Sequence, residues 1–91
     1  ELTDGSHVER ELMLIKVATR SEVVRSEIHR NVDIYRAQIV DVDSNNYTIQ
    51  VTGTSDKLDA FSHTMSQSTE IIEASRTGIC GLARGEKALR P

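Results

Sequence analysis

Apolar positions along the chain follow two rhythms. From Val8 to Val17 the residues Val-Glu-Arg-Glu-Leu-Met-Leu-Ile-Lys-Val end in a run of large aliphatics, with β-branched Ile15 and Val17 and no Gly or Pro, which predicts a strand. Successive strand side chains point to opposite sides of a sheet, so Leu12, Leu14 and Lys16 share one face and Glu11, Met13, Ile15 and Val17 the other. Both faces are largely apolar, and the strand is therefore expected to be central and covered on both sides. One cover is the domain's own helices; the other must be a second sheet, domain or subunit.

The next rhythm is helical. Thr19-Arg20-Ser21-Glu22 has the Thr-x-x-Glu pattern of a capping box and predicts a helix start there, after which Val24, Ile28, Val32 and Tyr35 recur at intervals of four, four and three. Strands are predicted over 37–42 and 47–52, joined by the turn residues Asp43-Ser44-Asn45-Asn46. In the second of them Tyr47, Ile49 and Val51 point one way, and Thr48 and Gln50 point to the wetter side. Gly53 breaks that strand, Thr54-Ser55-Asp56 supplies acceptors for a second helix carrying Leu58, Ala60, Phe61 and Met65, and the polar stretch Ser66 to Thr69 ends it. A fourth strand follows at 71–75, extended past a bulge at Gly78 by Ile79 to Ala83.

Strand, helix, strand, strand, helix, strand is the split βαβ order. It predicts an α+β, ferredoxin-like (ACT-like) βαββαβ sandwich, with a four-stranded antiparallel sheet and both helices on one face. The domain is expected over residues 8–85, between a linker or disordered lead-in at 1–7 and a C-terminal tail at 86–91. The sheet face away from the helices is left bare. Either Met13, Ile15 and Val17 or Leu12 and Leu14 lie exposed there, and such a patch marks an association surface.

Size and charge narrow the picture. Ninety-one residues, 37% of them hydrophobic, suit one small domain, and a chain of this length buries only about two-thirds of the surface it exposes when unfolded. Eleven basic and fourteen acidic side chains, net charge -3, are interspersed and leave no stripe for nucleic acid. A single cysteine, Cys80, forms no internal disulfide and points to a reducing compartment. No apolar run approaches the roughly 20 residues needed to cross a bilayer, so a soluble intracellular protein is expected. The chain opens on Glu1-Leu2-Thr3-Asp4 without Met and reads as a piece of something longer.

Candidate chemistry is sparse. His7, His29 and His63 read as surface residues, and no pair has metal-ligand spacing. Glu9 and Glu11 share a strand face, but Arg10 and Lys16 nearby make ordinary ion pairs the expectation. No Gly-x-Ser-x-Gly elbow surrounds a serine, and Gly78, Gly81 and Gly85 fit bulges and turns better than a phosphate loop. An RNA-binding sheet would need aromatics on its central strands, whereas Tyr35, Tyr47 and Phe61 all lie outside the first strand. Cys80, in an apolar run, reads as a small buried hydrophobe. Catalytic, cofactor-binding and metal-binding residues are expected to be none. The candidate partner contacts are Met13 and Ile15, with Arg10, Arg76 and Arg84 at the ends of apolar runs where a guanidinium can pair across an interface.

Four segments carry a family resemblance: residues 8–17, Tyr-Arg-Ala-Gln-Ile-Val-Asp-Val at 35–42, Val-Thr-Gly-Thr-Ser-Asp-Lys-Leu-Asp-Ala-Phe at 51–61, and Glu-Ala-Ser-Arg-Thr-Gly at 73–78. In order, they resemble the C-terminal half of the small, regulatory subunit of acetolactate synthase (acetohydroxyacid synthase). The resemblance implies a non-catalytic domain acting in valine, leucine and isoleucine biosynthesis by contact with a catalytic subunit. Thiamine diphosphate, Mg and FAD are expected only in that subunit. It implies a homodimer or higher oligomer, feedback inhibition by valine bound on an N-terminal ACT domain absent here, and a cytoplasmic location, or an organelle in a plant or fungus. Two departures stand out: Tyr35 where Phe is common, and Gln67-Ser68-Thr69 near the place of a Phe-Gly-Ile segment. The alternatives on the same fold are an ACT-like domain holding an amino acid between two copies, and a small enzyme of the acylphosphatase kind. The latter would need an aimed Arg and a water-positioning Asn, for which Arg20 and Asn45 are present but untied.

Overall fold

The computed structural model describes residues 7–85. Its elements run β1 (His7–Ala18), α1 (Glu22–Ile34), β2 (Gln38–Val42), β3 (Asn46–Gly53), α2 (Ser55–Ser68), β4 (Ile71–Arg76) and β5 (Cys80–Ala83). The expected lead-in and tail fall almost wholly outside the described residues. β1, however, already begins at His7.

Strand order is β2-β3-β1-β4, all pairs antiparallel, with β1 in the interior as its apolar content requires. The fold is the ferredoxin-like βαββαβ pattern. Directly opposed residues share a face, so the pairs Met13 with Val51, Ile15 with Ile49 and Val17 with Tyr47 lie together on the helix side. Against them pack Ile28 and Val32 of α1 and Leu58, Phe61 and Met65 of α2, in one core cluster. Burial of this apolar surface against the two helical stripes is what holds the layers together.

The helix start differs from the sequence reading. Ser21, not Thr19, caps α1, its hydroxyl accepting from the Val24 amide at 3.2 Å. Thr19 still belongs to the strand end: it is buried, its amide donates to the Asn45 carbonyl at 2.8 Å, and its carbonyl accepts from Arg25 Nη1 at 2.9 Å. At the other end of α1 the Ala37 amide returns to the Val32 carbonyl, with Arg36 in the left-handed region at φ 56°. This is a Schellman closure with a side chain where glycine is usual.

The two departures from the family pattern are both accommodated by hydrogen bonds. The Tyr35 ring meets Phe61 edge-on at 5.1 Å, and its hydroxyl is not left to solvent but lies 3.1 Å from Thr64 Oγ1. After α2, the Thr69 hydroxyl donates to the Ala18 carbonyl at 2.7 Å and the Ala18 amide donates to the Glu70 carbonyl at 3.0 Å. Polar ties to β1 thus fix the end of α2.

The last strand also differs. β5 does not lengthen β4; the chain turns at Gly78, φ 88°, and β5 pairs His7, Val8, Glu9 and Arg10 with Ala83, Leu82, Gly81 and Cys80. β1 therefore runs past the sheet and forms a two-stranded ribbon with β5. The ribbon accounts for an elongated molecule, 49 × 20 × 17 Å. Its radius of gyration is 15.5 Å, against about 12 Å for a compact domain of this length.

Candidate functional site

Where β1 leaves the sheet, one carboxylate gathers several partners. Glu11 lies on the helix side and is 7% exposed. Arg76, at the end of β4, donates to it from Nε and Nη2, each at 2.9 Å, in a bidentate pair. Ser55 Oγ donates to the same carboxylate at 3.1 Å and the Gly78 amide at 3.3 Å, while Arg76 Nη1 reaches Asp59 at 2.6 Å. Hydrogen bonding from Arg76 holds the Glu11 carboxyl below the usual carboxylate range against the opposing effect of desolvation, and the two carboxylates raise the Arg76 guanidinium. Glu11 is thus kept ionised. The clasp joins β1, β4 and α2 and leaves the carboxylate with no tendency toward proton transfer near neutral pH.

The opposite face of the sheet is bare, and the strand register lays it out in rows. One row reads Asp41, Thr48, Lys16, Glu73 across the four strands, and the next reads Gln38, Gln50, Leu14, Ser75. Then come Leu12 beside Thr52 and, on the ribbon, Arg10 beside Cys80 and Val8 beside Leu82. Leu14 is 42%, Val8 47% and Leu82 72% exposed. Lys16 Nζ and Glu73 pair at 3.1 Å. A shallow depression of about 190 Å³ lies among Leu14, Lys16, Thr48, Glu73 and Ser75. At the directly paired positions the face is therefore apolar along β1 and the ribbon and polar on the flanking strands, while Val40 and Ile72, at the bulges of β2 and β4, are exposed as well.

Several expected contacts change character. Met13 and Ile15 are 1% and 0% exposed beneath the chain's own helices, so neither reaches a partner; Leu12 and Leu14 occupy the bare face instead. Arg76 is committed inside the chain to Glu11 and Asp59. Arg10 is exposed on the ribbon, and Arg84 lines an open groove with His7, Val8, Glu9 and Thr54. Cys80 is exposed rather than buried, because β5 has no layer over it on the bare face. Glu9 pairs with His7 at 3.2 Å, and the His7 side chain is only 11% exposed, not a surface histidine. Arg20 turns to Glu70 at 2.8 Å rather than toward Asn45. The Glu11 clasp was missed because its partners stand 65 residues apart. The ribbon could have been found in the apolar alternation of Val8 with Leu12 and in the run at 79–83.

Among the described residues no three His, Cys, Asp or Glu side chains gather as a metal site, and no helix is long and apolar enough to cross a membrane. An ion-paired carboxylate in the clasp and a solvent-facing apolar stripe on the far side sit on one ferredoxin-like α+β domain. The chain belongs to the family of the small subunit of acetolactate synthase, whose C-terminal domain its residues 10–85 match. It is similar to the acetolactate synthase isozyme 3 small subunits of Salmonella typhimurium and Escherichia coli. The identities are 49% and 48% over 90 residues, covering 99% of this chain and 55% of each relative. The crystal structure of the small subunit from Thermotoga maritima superposes with a TM-score of 0.80 at 35% identity, over 90% of this chain and 49% of that one. The chain spans about half the length of the curated relatives it matches.

Proposed function

We propose that this domain serves as the C-terminal part of a non-catalytic regulatory subunit in branched-chain amino-acid biosynthesis, acting by contact with the catalytic subunit of acetolactate synthase in the cytoplasm. The observation that carries this reading is the match of essentially the whole domain to the small-subunit family, in a fold whose buried carboxylate is locked in an ion pair. Thiamine diphosphate, Mg and FAD belong on the catalytic partner. The amino-acid effector, valine, belongs on an ACT domain preceding this one. The domain passes on the effector's bias between two packing arrangements, a coupling of about 1 to 3 kcal/mol that requires no chemistry in the relay.

Titrating the chain into the catalytic subunit tests this, with binding and the rate of acetolactate formation as readouts. Binding with a changed rate is the expected result; neither one would overturn the reading. Calorimetry with valine, leucine and isoleucine should show no saturable heat from this chain alone. Saturable heat would move the effector site into this domain.

A further inference from the structure

We propose that the open edge of β1 at His7–Arg10 is a strand-addition site, and that its occupant is an extended segment of the catalytic subunit with a carboxylate facing Arg10. This rests on the regulatory reading above and deepens it by naming where the partner docks.

β1 outruns its neighbour on one side only. β3 ends at Gly53, opposite Glu11, and the chain then leaves for α2. On the β4 side the pairing carries on: the Thr77 amide donates to the Leu12 carbonyl at 3.0 Å, the Leu12 amide donates to Thr77 Oγ1 at 3.1 Å, and β5 takes over from Arg10 to His7. On the β3 side His7–Arg10 have no strand partner among the described residues. Backbone groups of successive residues point to opposite edges of a strand. Those of Leu12 and Ala18 meet Thr77 and Glu70 on the β4 side, whereas the Thr19 amide meets Asn45 on the β3 side. The amides and carbonyls of His7 and Glu9 therefore face the open edge, and those of Val8 and Arg10 face β5.

A groove of about 550 Å³ lies against this segment, lined by His7, Val8, Glu9, Arg10, Thr54 and Arg84. Thr54, the first residue after β3, sets it in line with that strand. Two groups in it mark the place of a missing neighbour. Arg10 Nη1 folds back to donate to the Glu9 carbonyl at 2.6 Å, so a charged side chain stands where a strand amide would. His7 Nδ1 is buried with no hydrogen-bond partner among the described residues. Two paired strands with no third are marginal in water, and an added strand along these residues, about 13 Å of edge, makes the ribbon three-stranded. Main-chain hydrogen bonds hold such a strand, and its alternate side chains set selectivity. On the bare side they lie beside Val8 and the exposed Arg10, whose guanidinium favours a carboxylate. On the helix side they lie beside His7 and Thr54.

Amide hydrogen exchange of the 91-residue chain, alone and with the catalytic subunit, tests the proposal, together with binding by variants. Alone, the His7 and Glu9 amides should exchange faster than those of Val8 and Arg10; with the catalytic subunit they should slow about tenfold or more. Glu9→Pro removes an outward amide and leaves the β5 ladder intact, a place where an edge strand tolerates proline, and should weaken binding about tenfold or more. Glu9→Ala keeps the amide and should weaken binding far less, while Arg10→Glu should weaken it as Glu9→Pro does. Val23→Glu, at an exposed site on α1, should leave it unchanged. Circular dichroism checks folding, and should Glu9→Pro misfold, the exchange of the unaltered chain still decides the matter. An unaltered chain that does not bind the catalytic subunit would overturn the regulatory reading and this proposal with it. Binding that survives Glu9→Pro in a folded chain, or that leaves the His7 and Glu9 amides fast, would overturn this proposal alone. So would slow amides in the free chain: at every concentration they would assign the edge to the chain's own lead-in, and only at high concentration to a second copy.

Discussion

Arg76 closes on Glu11 through two hydrogen bonds of 2.9 Å, joining the end of β4 to the point where β1 leaves the sheet. The clasp fixes the base of the ribbon, since the Gly78 amide at the turn into β5 donates to the same carboxylate. Its contribution depends on ionisation. Because the folded carboxyl titrates below its ordinary value of 4.5, the stabilisation is fully present above that value and is lost as pH falls through the lowered folded one. Asp43, held down by the Asn45 and Asn46 amides in the β2–β3 turn, acts in the same direction.

Thermal unfolding followed from neutral to acid pH should therefore show a loss of stability that begins at and below about pH 4.5. Glu11→Gln should lower the midpoint at neutral pH and flatten the acid limb. An unchanged acid limb would show that the clasp carries none of the pH dependence.

Phe61 is fully buried between the Tyr35 ring and the sheet. Phe61→Ala should cost about 3 to 5 kcal/mol in urea unfolding, because the helix layer can only partly collapse into the cavity. Tyr35→Phe, which removes only the hydroxyl bonded to Thr64, should cost about 0.5 to 1.5 kcal/mol.

Ser21→Ala should destabilise the domain by about 1 kcal/mol through loss of the α1 cap. The same measurement separates the observed cap from the Thr-x-x-Glu pattern, in which Thr19 would serve.

Arg36→Gly should stabilise the domain by about 0.5 to 1 kcal/mol, since the left-handed conformation at φ 56° crowds a side chain and not a glycine. A loss of stability would mean that the Arg36 side chain contributes more than its backbone conformation costs.

Much of this fold was legible along the chain. Period-2 alternation placed Met13, Ile15 and Val17 on one face and Leu12 and Leu14 on the other, and it put Thr48 and Gln50 on the wet side, as the register shows. Period-3.6 recurrence identified Ile28, Val32, Leu58, Phe61 and Met65, which form the core. These signals are local: a side chain's direction on a strand or helix follows from its own backbone and its nearest neighbours.

What the residue order left open was decided by contacts between distant segments. Alternation could not say which face of β1 the helices cover, so Met13 and Ile15 read as contact residues until the packing of α1 and α2 put them in the core. Nor could it show that Arg76 would turn inward to Glu11, or that residues 80–83 would return to the start of β1. Pairing energy between segments 65 or more residues apart exists only once the chain has closed around them, and no short window of sequence contains both partners.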